Sequence, residues 1–248
     1  LITLKTPAGT SCMRFQVVEE IIQGAAAPYL VEHLIKDEND FTVVKWIINH
    51  SEVVADYQDF AAKEELVGDL GFTIAMMERM PFQRILLDFM GEERTIYSMM
   101  DSPQDFQYLL DILTEQGREM VTKALESPAL MIEFTDNIEG SITSPSLFQT
   151  YCMPFMQETA DRLHAQGRYL GSHMDGNMAP LLDLIPECGV DVVESFSPAP
   201  LTRLTFEDAW NAWRGKVLMW GAIPSPIFEP HVPEHEFTEW IDRMQALL

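Results

Sequence analysis

A chain of 248 residues with 47% hydrophobic residues is long enough to bury a sizeable core, and that composition excludes a disordered protein. Its 39 carboxylates against 16 lysines and arginines give a formal net charge of -23, which argues against a nucleic-acid partner held through phosphates. No apolar run approaches the roughly 20 residues that a bilayer requires, so no membrane segment is expected, and three scattered cysteines fit a cytoplasmic location.

The chain opens at Leu1 inside an apolar run, and Thr6-Pro7-Ala8-Gly9 closes that run as a strand entering a turn, with Phe15 to Val18 as a returning strand. Asp40 is expected to cap a helix through Asn49, where Phe41, Val44 and Ile48 recur at helical spacing, and Val53 to Leu66 supports another helix. Gly71 to Met76 predicts a buried strand with Glu78 and Arg79 at its end. Pro81 then stands in the first turn of a helix through Met90. Asp101-Ser102-Pro103 starts a further helix with an apolar stripe of Phe106, Leu109, Leu110 and Leu113.

Ala129 to Phe134 is the next strand, ending in Glu133, Thr135, Asp136 and Asn137. Glu133 and Asp136 have opposite parity, so they face apart unless the chain bends between them. Ser144-Pro145 opens a long helix to Ala165, and Gly167 stops it. The stretch Arg168 to Phe196 reads as strand, amphipathic helix closed by Gly189, and strand. His173 and Asp175 share parity at the end of the first of these strands, and Val190, Val192 and Glu194 share a face of the second. An imidazole and two carboxylates are thereby brought to one end of a sheet, which makes them the best candidates for chemistry. Ser197 to Pro200 is a loop, Phe206 to Trp213 a helix, Val217 to Gly221 a strand, and Pro233 to Leu248 a final helix.

Cys12, Cys152 and Cys188 lie far apart with no C-x-x-C pair and are expected to be packed thiols. Asn137 satisfies turn backbone or faces a substrate, and Phe196 and Trp220 pack in the core or line an aromatic pocket. His231 and His235 are solvent or capping residues by default. From residue 71 onward strands and helices alternate, which implies an α/β fold with a parallel sheet. A single TIM (β/α)8 barrel domain over residues 1–248 is favoured over an open doubly wound sheet, because no Gly-x-Gly-x-x-Gly or Walker-type loop follows any strand. Because it starts in an apolar run and stops in an expected helix, the chain is expected to be a piece of a longer protein, incomplete at both ends.

The segments TDNIEGSITSPSLFQTYCMPFMQETADRLHAQG, SHMDGN, GVDVVESFSPAP and VLMWGAIPS together resemble the uroporphyrinogen decarboxylase superfamily, which includes corrinoid-dependent methyltransferases. The likeness spans about residues 70 to 230 and implies a TIM barrel lacking its beginning and its last strand. In the methylcobamide:coenzyme M methyltransferases of this superfamily, a His-x-Cys pair and a later Cys bind zinc, which activates a thiol. The matching positions here are His173, Met174 and Asp175, and no cysteine follows Cys188. The resemblance therefore implies zinc or another divalent metal on His173, Asp175, Glu194 and Glu133, a harder ligand set suited to oxygen chemistry. It implies a methyltransferase that moves a methyl group between a small methylated compound, methoxylated by preference, and a corrinoid. The corrinoid would ride on a partner protein, since no Asp-x-His-x-x-Gly motif is present. Asp136 and Asp175 are the implied catalytic carboxylates, with Asn137, Phe196 and Trp220 around the substrate. Two alternatives remain. One is a metal-independent decarboxylase in which Asp136 or Asp175 stabilises a cationic pyrrole intermediate; the other is a barrel that only binds a small molecule.

Overall fold

The computed structural model describes residues 1–19 and 28–247, so the expected end of the last helix at Leu248 lies outside the described residues. The chain divides into two compact units, residues 1–54 with 81–119 and residues 55–80 with 120–248.

The first unit carries an antiparallel sheet of β1 (Ile2–Thr6), β2 (Gly9–Gln16) and β3 (Tyr29–Glu32). The expected returning strand thus starts earlier than Phe15, and the third strand was not expected. The helix Glu38–Asn49 is capped by Asp37, whose carboxylate accepts from the Asp40 N–H at 3.0 Å, so the cap stands three residues before the expected one. Asp40 lies inside the helix and instead accepts from Lys36. Pro81–Gln83 opens a helical segment that continues as a π-helix over Arg84–Met90, and an unexpected helix Glu92–Asp101 follows. The helix Pro103–Glu126 begins in this unit, and its Phe106 meets Phe82 edge to face. Cys12 is partly exposed, against the expectation of a core thiol, because its strand belongs to a small sheet with an open face.

The second unit is built on a five-stranded parallel sheet whose spatial order follows the sequence: β4 (Ile74–Met77), β5 (Met131–Phe134), β6 (Tyr169–His173), β7 (Val192–Phe196) and β8 (Leu218–Gly221). The expected α/β class and parallel pairing are both present. Among the described residues the sheet is open, with β4 and β8 as its edges. One face turns Ile132, Phe134, Leu170 and Val193 into the core, where the helices Met153–His164 and Phe206–Trp213 cover them with Phe155, Leu163 and Trp213. The other face carries Met76, Glu133, Gly171, His173, Glu194 and Trp220, by alternation and by the in-register pairs Met76–Glu133, Glu133–Gly171 and His173–Glu194.

Two expected helices are interrupted. The helix opened by Ser144 passes through a π-helical stretch, Phe148–Cys152, and Ser144 makes no side-chain cap bond. Between β6 and β7 there is no α-helix, only the short 3-10 turns Ala179–Leu181 and Ile185–Glu187. Each turn contains a proline, Pro180 and Pro186, and each ring removes an N–H and blocks continuation of an α-helix. The apolar pattern that suggested a helix is still buried, through Met178, Leu181 and Ile185. Gly189 closes the segment at φ 87 as expected. Cys188 is buried and donates to Ile185 O at 3.1 Å, and burial pushes its thiol up to about 12, which leaves it inert as a ligand. His231 and His235 are exposed.

Candidate functional site

The site grows from the C-terminal ends of three adjacent strands. His173 is the last residue of β6 and lies beside Glu194 of β7, and the preceding pair on the same face sets Glu133 of β5 beside Gly171. Gly171 makes the room: a Cβ there would stand 2.1 Å from Met131 Cε and 3.4 Å from Glu133 Cγ. Glu133, His173 and Glu194 each offer a donor atom, and these atoms lie within 4.8 Å of one another. Glu133 is only 3% exposed, while His173 and Glu194 are partly buried.

The two ring nitrogens of His173 meet different carboxylates. Nδ1 is hydrogen-bonded to Glu194 Oε2, and Nε2 lies 3.6 Å from Asp175 Oδ2, an ion-pair distance. Asp175 and then Glu194 hold the ring proton and raise its pKa to about 9 against the opposing effect of burial. The carboxyl of Asp175 is held below its ordinary value by the imidazolium. Burial, and then the charge of Glu194, push Glu133 up, with His173 pulling the other way. Three carboxylates crowded around one imidazole, with Glu133 among them nearly dry, make an arrangement that a cation would relieve.

Glu194 stands in regular register with His173 and is held by the hydroxyl of the next residue, where β7 becomes irregular. The register shifts between Val193 and Phe196, and Ser195 takes a left-handed conformation at φ 59 while its Oγ donates to Glu194 Oε1 at 2.9 Å. Such a bulge re-aims the side chains that follow it. Phe196, which by strict alternation would share a face with Glu194, turns to the helix side instead. There it is 1% exposed and meets Trp213 edge to face, so it lies in the core and not at the site. Trp220 is 45% exposed on the same face as the cluster.

Three consecutive residues after β5 reach both neighbouring strands. Thr135 Oγ1 donates to Met77 O at 2.9 Å. Asp136 accepts from the Met80 N–H at 2.7 Å and from Ser172 Oγ at 2.8 Å. Asn137, at φ 52, accepts from Arg79 Nη2 at 3.0 Å and donates from Nδ2 toward both oxygens of Asp175 at 3.3 Å. Asp136 is 0% exposed, and burial raises its pKa to about 7. The opposite parity of Glu133 and Asp136 therefore holds: one joins the cluster and the other is enclosed on the far side of the sheet. Gly171, Ser172 and Ser195 are site residues beyond those the sequence pattern singles out. The small pair Gly171-Ser172 directly before His173 is the signal that a neighbouring strand's side chains lean over β6.

Among the described residues no helix is long and apolar enough to cross a membrane. A search of curated proteins gives no significant match. Among solved structures, a methyltransferase from Methanosarcina mazei superposes with a TM-score of 0.63 at 16% identity, covering 86% of this chain and 61% of its own length. At that identity the likeness is one of fold, and the chain spans about three-fifths of that relative. The family model described as uroporphyrinogen decarboxylase (URO-D) matches residues 86–220, more than half of the chain, and that match encloses Glu133, His173, Asp175 and Glu194. The chain belongs to the uroporphyrinogen decarboxylase family.

Proposed function

We propose that this chain is the catalytic part of a metal-dependent methyltransferase that moves a methyl group between a small methylated compound and a corrinoid on a partner protein. The observation that carries the reading is the convergence of Glu133, His173 and Glu194 donor atoms within 4.8 Å. One nitrogen and two oxygen donors suit zinc or another divalent ion and leave positions open for substrate. When bound, such an ion supplies Lewis acidity toward a substrate oxygen.

The remaining groups have their own work in this reading. Asp175 stands on the opposite side of the ring and orients it, as an outer partner of a ligating histidine does. Met76, beside Glu133 on β4, and Trp220, on β8, are exposed on the face of the cluster and offer apolar flanks to a methoxylated, preferably aromatic, compound. The fold likeness to a methyltransferase supports methyl transfer as the reaction class. In the same reading the five parallel strands are an arc of a (β/α)8 barrel. Of the two carboxylates the decarboxylase alternative could use, Asp136 has no exposed surface to offer a pyrrole, which leaves that role to Asp175 alone.

The test is metal analysis with paired variants. The parent should bind one equivalent of zinc or cobalt, His173→Ala and Glu133→Gln should weaken binding by about tenfold or more, and Cys188→Ser should leave it intact. The parent should also methylate a reduced corrinoid from a methoxylated aromatic. Unchanged metal content in His173→Ala would overturn the site, and metal-free decarboxylation of a porphyrinogen would transfer the assignment to the alternative.

A further inference from the structure

The residues after β5 do more than end a strand. Thr135, Asp136 and Asn137 bond in succession to the end of β4, through Met77 O, the Met80 N–H and Arg79, and Asp136 and Asn137 also reach the end of β6, through Ser172 and Asp175. Asn137 is the part of this clasp that faces the site. It occupies left-handed backbone at φ 52, where asparagine is tolerated better than most residues and glycine best. Its amide is used at both ends, accepting from Arg79 Nη2 at 3.0 Å and donating toward Asp175 at 3.3 Å. Asp175 in turn stands 3.6 Å from Nε2 of His173, while Nδ1 faces Glu194.

We propose that Asn137 is a positioning residue that acts through Asp175, holding that carboxylate on the Nε2 side of His173 so that Nδ1 stays turned to Glu194. This deepens the metal reading above and rests on it for its consequence in binding. Asp175 lies two residues beyond the end of β6 and is exposed, and besides the ring itself its carboxylate is met by its own backbone N–H and by the Asn137 amide. An exposed carboxylate with several rotamers open to it approaches an imidazole only part of the time unless something anchors it. The two 3.3 Å contacts from one amide are that anchor, and Arg79 fixes the amide's own orientation by occupying its oxygen. A histidine whose far nitrogen has lost its carboxylate binds metal about ten- to a hundredfold more weakly.

The left-handed backbone supplies a clean test. Asn137→Gly keeps the backbone conformation at no steric cost and removes only the amide, whereas Asn137→Ala adds strain at the same φ. With cobalt as the probe, Asn137→Gly should lower affinity about tenfold with no loss of folded protein by circular dichroism. Asp175→Ala should lower it by a similar factor, the double variant should lose little more than either single one, and Asp175→Asn should recover part of the loss because its oxygen still accepts from the ring. Additive losses, or an affinity for Asn137→Gly within about twofold of the parent, would overturn the proposal. A second readout needs no metal. In a crystal structure of metal-free Asn137→Gly, Asp175 should have left ion-pair range of Nε2, beyond about 4 Å. Asp175 found in its original place would overturn the positioning role. A parent that binds no cobalt would overturn the metal reading, and this structural comparison would still decide the positioning.

Discussion

A carboxyl group without solvent contact keeps a proton that an exposed one gives up, and Asp136 is such a group. Burial raises its pKa from 3.8 to about 7, so between these values the folded protein holds a proton that the unfolded chain releases. The folded state binds more protons there, so Asp136's contribution to stability falls as pH rises from about 4 to about 7 and is level above that. Asp136→Asn keeps an acceptor for the Met80 N–H and removes the titration. The difference in unfolding free energy between variant and parent should therefore shift in favour of the variant from pH 4.5 to pH 7.5, measured by urea denaturation at each pH. A difference that does not change with pH would show that Asp136 is ionised throughout. Parity alone made much of this residue scale legible: it separates Asp136 from Glu133 and sets His173 beside Glu194. It fails at Phe196, because a one-residue bulge at Ser195 reverses the alternation, and nothing in the residue types Glu-Ser-Phe announces a bulge. The link from Asn137 to Asp175 joins positions 38 residues apart and cannot be seen without the fold.

At the scale of elements, every expected strand of the parallel sheet is present as a short run rich in apolar residues, but only the three central strands are largely buried, while β4, expected to be buried, is an edge that exposes Met76. The connections were less legible. An apolar pattern reports burial, and between β6 and β7 it is satisfied by two proline-containing turns as well as by a helix. Those turns follow Asp175-Gly176-Asn177, a loop that packs directly on the one after β5. Glu139 there accepts from the Asn177 N–H at 2.6 Å and the Ser141 N–H at 2.8 Å. At Gly176 a Cβ would stand 2.4 Å from Ile138 O and 2.7 Å from Glu139 Cα, and backbone atoms have no rotamer by which to move aside. Gly176→Ala should therefore push the two loops apart, costing about 1–3 kcal/mol of stability and drawing Asp175 from His173. Thermal unfolding and cobalt affinity measured on one preparation check this. A variant with the parent's midpoint and affinity would mean that the added Cβ is accommodated and that Gly176 does not set the spacing of the two loops.

At the scale of the whole molecule, a net charge of -23 and a protonated histidine act on an incoming cation in opposite directions. The acidic surface concentrates cations around the protein, an attraction that salt screens over a Debye length of about 8–10 Å at 0.1–0.15 M. The local obstacle is His173, whose ring proton is held with a pKa of about 9 and must leave before Nδ1 can ligate. On the metal reading proposed above, binding below that pH should release this proton, and affinity should fall about tenfold for each unit of pH lost on account of this one group. Protonation of Glu133, whose pKa is also raised, adds to the fall at lower pH. Zinc titrations by calorimetry at pH 7.5, in two buffers of different ionisation enthalpy, should therefore report about one proton released per metal bound. His173→Gln should abolish most of that release as well as the affinity. Raising sodium chloride from about 0.05 to 0.5 M should weaken binding in parent and variant alike, since the acidic surface is common to both. Binding without proton release would mean that the metal sits on carboxylates alone. A salt effect confined to the parent would place the attraction in the cluster and not in the surface charge.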